Sequence, residues 1–221
     1  MLTEKAYEAI KAAILGLELE PGSRLIERRL AEQFGVSKSP VRDALNRLAG
    51  EGLVLQTAYS GMLVREFDPP FVDELYLVRE QLEVMAVELS TPRLRPEDVA
   101  EGIASLRTAE LAIEARDRSA LGVASSRFHA VFHRRSENRP LQQILNGIQN
   151  QVRMITALNW RSREETMWEA HQQHCKILDA ARSGQVKTAV DLMRDHIQQG
   201  RLEYRRGFHL GGEQARDLSA T

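Results

Sequence analysis

ERRLAEQFGVSKSPVRDALNRL, residues 27–48, holds two short helical patterns separated by Gly35-Val36-Ser37. In the first, over residues 27–34, Leu30, Ala31 and Phe34 share one face and Gly35 supplies the stop. In the second, over about residues 40–49, Val41, Ala44, Leu45 and Leu48 share a face, Ser37 or Ser39 supplies a cap, and Pro40 opens the first turn, where its missing amide costs nothing. Two short helices joined by a tight turn form a helix-turn-helix, whose second helix enters a major groove. The apolar residues make a small core and leave Arg28, Lys38, Ser39 and Arg42 outside. An arginine donates two parallel hydrogen bonds to guanine O6 and N7, whereas hydroxyls and ammonium groups suit phosphate. Arg42 and Arg28 are therefore the candidate base readers, with Ser37, Lys38 and Ser39 as backbone contacts.

Working outward, residues 4–15 repeat Ala6, Tyr7, Ile10, Ala13 and Ile14 at helical spacing behind Thr3, a candidate N-cap, and Pro21-Gly22 breaks the chain. After Gly50 and Gly52, residues 53–55 and 62–64 read as two short strands joined through Tyr59-Ser60-Gly61. A hairpin after three helices is a wing, and Ser60 and Gly61 stand where it meets DNA, glycine permitting close backbone approach. The winged helix-turn-helix occupies residues 1–67. Asp68-Pro69-Pro70 is a stiff linker, because proline lacks an amide donor and restricts its predecessor. Beyond it every pattern is helical, over about 71–90, 96–116, 118–136, 140–158, 163–183 and 185–207. The fold class is mostly α, with an all-helical second domain over 71–208. Residues 209–221 carry glycines and no apolar period, which predicts a loose tail.

Charge shapes the functional reading. With a formal net charge of -1, the chain has no bulk attraction to polyanions, so DNA binding rests on local placement of basic groups. This balance also disfavours an architectural DNA protein, which binds by general basicity. No apolar run approaches the roughly 20 residues a membrane helix needs, and the N-terminus lacks the order of a signal peptide. A cytoplasmic location is expected. The single Cys175 has no intramolecular partner and reads as a small packed side chain.

Three histidines fall on three helical segments: His129, His174 and His196. Imidazole is the commonest biological metal ligand, and three of them converging in a bundle can hold zinc, nickel or manganese with positions left open. His133 and His171 lie within a turn of these, on faces that suit solvent or supporting roles. Arg79 sits among Leu75, Val78, Leu82 and Ala86, and a half-buried guanidinium wants a carboxylate, either a ligand's or that of Glu83. Asn138 suits a helix cap.

The run PGSRLIERRLAEQFGVSKSPVRDALNRLAGEGLV, residues 21–54, resembles the signature of the GntR family of winged-helix repressors. Arg28, Lys38 and Arg42 match its DNA-contacting basic positions, while Ser60-Gly61 replaces the glycine pair often found in the wing. The second domain is similar to the FCD ligand-binding domain of the FadR-type branch, through VREQLEVMAVEL, FHAVFHRRSENRPL and HCKILDAARSGQVKTAVDLMRDHI. In that branch an aspartate one turn before the first histidine often completes an Asp-His-His-His site; here the position is Ser125, a neutral group set beside the ligand-binding candidates.

The resemblance implies a regulator, a repressor in most relatives, that binds a palindromic operator as a homodimer and responds to a small organic or sugar acid through the helical domain. The rival, a metal-dependent hydrolase, lacks HExxH, GxSxG or any phosphate-cradling loop, and leaves the first 67 residues without a role.

Overall fold

A computed structural model describes residues 2–57 and 61–218, with side chains through Phe208. The elements run α1 (Leu2–Leu15), α2 (Glu27–Phe34), α3 (Lys38–Gly50), β1 (Val54–Thr57), β2 (Gly61–Val64), α4 (Pro69–Ser90), a 3-10 turn (Thr91–Arg93), α5 (Pro96–Glu114), α6 (Arg118–Arg135), α7 (Arg139–Ser162), α8 (Glu165–Arg182) and α9 (Val186–Leu218). They form two compact units: Met1–Phe67 with Gly147–Ala157, and Asp68–Asn146 with Leu158–Thr221.

In the first unit, Tyr7, Ile10 and Ile14 of α1 and Val41, Leu45 and Leu48 of α3 are fully or almost fully buried, joined by Leu30 of α2. Burial of each such side chain contributes about 1.5–3 kcal/mol, which is how helices as short as α2 persist. Gly35 ends α2 in the left-handed conformation (φ 64°), its amide donating to the Ala31 carbonyl. Helix α3 begins at Lys38, two residues ahead of the expected start. Ser37 occupies the cap position without a side-chain cap bond, and Pro40 is tolerated because first-turn amides have no helical partner. Similarly, α1 begins at Leu2, so Thr3 lies inside its first turn, beside a Glu4 that the positive helix end favours.

Strands β1 and β2 pair antiparallel with Val54 opposite Val64 and Thr57 opposite Gly61, and Arg24 adds a bridge to Leu63. Gly61 has φ 73° and is exposed. Ser60, the other wing candidate, lies outside the described residues. Gly52 is left-handed (φ 73°), and a Cβ there would stand 2.4 Å from Nε2 of Gln151 in the α7 segment of this unit. Asn150 of the same segment donates to Glu51 Oε2 at 2.7 Å.

In the second unit, α4 packs against α6 and α9, α5 against α6 and α8, and α8 against α9. Asp68 caps α4, accepting from the Phe71 amide at 2.8 Å, with Pro69 and Pro70 in the first turn, so the helix starts inside the stretch read as linker. Asp117 caps α6 and Asn138 caps α7 in the same way. Phe128, Val131 and Phe132 of α6, Ile177 of α8 and Met193 and Ile197 of α9 are buried. The backbone of α9 is helical to Leu218.

Candidate DNA-reading surface and metal centre

Helix α3 presents Lys38, Ser39 and Arg42 to solvent, with Ser37 exposed at its entrance and Arg28 exposed on α2. Arg42 is held side-on by Glu27: its Nε donates to Oε1 at 2.8 Å and its Nη2 to Oε2 at 2.9 Å. The hydrogen bond lowers the Glu27 carboxyl below its ordinary range and raises the Arg42 guanidinium further. Arg28 has only a 3.8 Å ion pair with Glu32, both ends exposed. Arg47, on the last turn of α3, lies over the Tyr7 ring and pairs with Glu4 and Glu51, a packing role.

In the second unit, His129 of α6, His174 of α8 and His196 of α9 each bring a ring nitrogen within 4.8 Å of the others. These helices carry the histidines inward because each residue lies on the face that also holds core side chains, Phe128 and Phe132, Ile177 and Leu178, Met193 and Ile197. Nε2 of His174 and Nε2 of His196 are 3.1 Å apart, and Nδ1 of His196 meets Gln173 Oε1 at 2.7 Å. Nδ1 of His129 meets Glu83 Oε2 at 3.1 Å, and the same oxygen meets His133 Nε2 at 2.9 Å. Nε2 of His129 is buried and has no partner. Phe128 stacks on the His174 ring at 4.3 Å and forms one wall.

Burial holds His174 and His196 well below their ordinary value, and each is also disfavoured as a cation by neighbouring imidazoles. Burial lowers His129 too, against the opposing pull of Glu83. Burial alone would raise Glu83, but the pull of His129 and His133, whose ring nitrogens hydrogen-bond its Oε2, prevails and holds it well down, with Arg79 Nε 3.5 Å from its other oxygen. The three converging imidazoles are thus neutral at neutral pH. His129 and His196 donate from Nδ1 to oxygen, which leaves their Nε2 lone pairs facing each other and His174.

Arg79 is buried against Glu83, the ion-pair arm of its two expected roles, and its guanidinium carbon lies 5.2 Å from the Tyr76 ring centroid. Ser125 is half-buried on α6, one turn before His129, and carries no charge. His133 is buried on Glu83 rather than solvated. His171 is also buried, 3.7 Å from Cys175 Sγ, and belongs to neither cluster. Burial pushes the Cys175 thiol up, away from reactive thiolate. Glu27 and Gln173 were missed as site components from sequence, and Glu83 was foreseen as a partner of Arg79 but not of the two histidines. Each supports another side chain from a distance in sequence or from a neighbouring helix, and no spacing rule reports that. The four-residue spacing of Arg79 and Glu83 was visible, but the carboxylate's two histidine partners lie 46 and 50 residues away.

Histidines kept neutral by burial make the fold pH-sensitive. Between the depressed native values and about 6.5, the unfolded chain binds more protons than the native one, so stability falls as pH drops. Glu83, ionised in the native state, adds to the same trend below 4.5. For cation-free protein the melting temperature should be level above about pH 7 and decline from about pH 6.5 to about pH 5; a flat profile through that range by differential scanning calorimetry would contradict buried neutral imidazoles.

A winged helix-turn-helix with an exposed basic helix, followed in the chain by an all-helical unit with an inward polar centre, is the architecture of a DNA-binding transcriptional regulator. Residues 2–64 match the bacterial regulatory proteins of the gntR family, and residues 74–199 match the FCD domain. The chain belongs to the gntR family and carries an FCD domain. It is 30% identical over 181 residues to the Nta operon transcriptional regulator of Aminobacter aminovorans, covering 80% of this chain and 82% of that one. It is 29% identical over 170 residues to the HTH-type transcriptional regulator YdhC of Bacillus subtilis, covering 76% of each. Among solved structures, E. coli McbR/YncC superposes with a TM-score of 0.81 at 24% identity, over 94% of this chain and 99% of that one, and so shares the fold. Among the described residues no helix is long and apolar enough to cross a membrane.

Proposed function

We propose that this regulator binds a two-fold symmetric operator as a homodimer, and that its helical unit holds a divalent cation on His129, His174 and His196, through which a small carboxylate effector controls operator affinity. The observation that carries the reading is the buried, unpartnered Nε2 of His129, aimed at two further imidazole nitrogens. An unpaired buried acceptor costs about 1–3 kcal/mol, which a cation would recover. The 3.1 Å between the His174 and His196 nitrogens suits two donors about 2.1 Å from one ion. When bound, the cation would act as a Lewis acid that holds an oxygen ligand.

The alternative group, Glu83 with His129 Nδ1 and His133 Nε2, also gathers three donors. Arg79 is already the countercharge of that carboxylate, so a dication there would sit beside a guanidinium. In the favoured site Glu83 instead orients His129, and Gln173 orients His196. The charge balance supports an anionic effector. Glu83 and Arg79 cancel, the three imidazoles are neutral, and a buried dication would stay uncompensated until an anion such as a carboxylate joins it. The relatives described above are named regulators, which favours control of transcription over the hydrolase reading.

Titration calorimetry with zinc, nickel and manganese ions, followed by a screen of small organic and sugar acids for altered operator affinity, tests the reading. One cation per chain and at least one acid that shifts operator affinity are expected. Absence of cation binding would overturn it. Glu83→Gln should weaken the cation about 10- to 100-fold with an unchanged helical circular-dichroism spectrum, measured by competition with a chelating dye; unaltered affinity would remove Glu83 from the site.

A further inference from the structure

The two candidate base readers differ in how they are held. Arg28 faces solvent with one long ion-pair contact, to Glu32 at 3.8 Å. Arg42 is fixed by two hydrogen bonds to one carboxylate, with Glu27 the more sheltered partner at 31% side-chain exposure against 64% for Arg42. Most exposed ion pairs contribute little, and paired arginine-carboxylate geometry is the exception. Glu27 is also held from its own side, because it is the first residue of α2, where the positive end of the helix favours a carboxylate.

We propose that Glu27 is a specificity-determining positioning residue: it clamps the Nε edge of Arg42 so that the remaining end-on N–H pair, one from Nη1 and one from Nη2, reads O6 and N7 of one guanine in each half-site. The proposal rests on α3 being the helix that enters the major groove.

The chemistry follows from the five N–H donors of a guanidinium. The side-on contact with Glu27 uses Nε–H and one hydrogen of Nη2. The end-on edge stays free, and it is the edge that matches the two guanine acceptors. A guanidinium already fixed loses less rotamer freedom on binding, which favours the correct base. The Glu27 carboxylate also cancels the charge of Arg42, so the pair together adds little general attraction to phosphate and much discrimination. Arg28, without such a clamp, serves as the internal comparison: its charge also draws any duplex, so its removal should weaken binding to the unenriched pool and flatten the salt dependence.

The test uses full-length protein and a pool of duplexes randomised over about two helical turns, the span of two half-sites. Wild-type protein enriches a sequence from the pool, and affinities are then measured for that duplex, for versions with each guanine replaced, and for the unenriched pool. For wild type, one guanine per half-site should cost about tenfold when replaced. Arg42→Ala should lose that preference. Glu27→Gln and Glu27→Asp should both reduce it to less than about threefold, with pool binding equal or tighter for Glu27→Gln because a carboxylate facing phosphates is gone. Glu27→Asp keeps the charge at the start of α2 but is one methylene too short for the paired contact, so a role confined to helix stability would leave it like wild type; thermal melts of both variants check the fold. If both Glu27 variants keep the guanine preference while Arg42→Ala loses it, the clamp is overturned and the reading helix stands. If Arg42→Ala also keeps it, the assignment of Arg42 fails and the clamp falls with it.

Discussion

Arg42→Ala should leave the protein folded and remove its ability to tell its operator from unrelated DNA. The side chain is mostly exposed, and its bonds run to Glu27 at the surface, so truncation leaves the core of Val41, Leu45 and Leu48 intact and opens no cavity. What is lost is the group whose fork matches the two acceptors on the guanine edge. Specific affinity should fall about 5- to 100-fold per half-site, compounded where a homodimer uses both, while affinity for random duplex falls less, because there truncation removes one charge and leaves the Glu27 carboxylate uncompensated but deletes no base-edge contact. Fluorescence anisotropy with an enriched duplex and with the starting pool gives both numbers. An equal loss on the two would make Arg42 a phosphate contact.

The second large effect belongs to the helical unit. His196→Ala should reduce cation affinity by more than the about 100-fold that marks loss of a supporting group, because it deletes a donor outright. It should also remove the response of operator affinity to any carboxylate effector while leaving effector-free DNA binding unchanged. His196 is the least buried of the three histidines, so this variant costs less packing than removal of His174, whose ring stacks on Phe128. Effector and operator are coupled reciprocally. The variant should therefore also lose any effect of operator DNA on effector affinity, measured by calorimetry in the presence and absence of duplex. A variant that still binds cation like wild type would show that His196 is not a ligand.

Much of this architecture is legible in the chain because its signals are local. Leu30, Ala31 and Phe34 before Gly35, then Val41, Leu45 and Leu48, define two helices and a turn within 22 residues, and Gly35 adopts the left-handed conformation its position demands. The Asx signal at Asn138 also marks a true helix start. Boundaries slipped where first-turn tolerance matters, as at Lys38 and Pro69, because a proline there opens a helix as readily as it ends a loop.

The candidate sites divide along the same line. His129, His174 and His196 were readable as a set because they sit on core-facing stripes of separate helices, and the bundle brings them together. Which ring nitrogen each one offers was not readable. That depends on Glu83, which reaches His129 from α4, and on Gln173, which reaches His196 from α8. Arg79 illustrates the limit: a guanidinium on an apolar stripe announces a carboxylate partner without saying whose, and the partner lies one turn away on its own helix. Likewise Arg42 could be picked out as exposed and basic, but not as clamped.

The most direct test is a crystal of the full-length protein grown with nickel or zinc ions and measured on both sides of the metal's absorption edge. The account predicts one anomalous peak per chain among the Nε2 atoms of His129, His174 and His196, with Glu83 still bonded to the opposite nitrogen of His129. A peak between Glu83, His133 and the Nδ1 edge of His129, or no peak in that region, would contradict it.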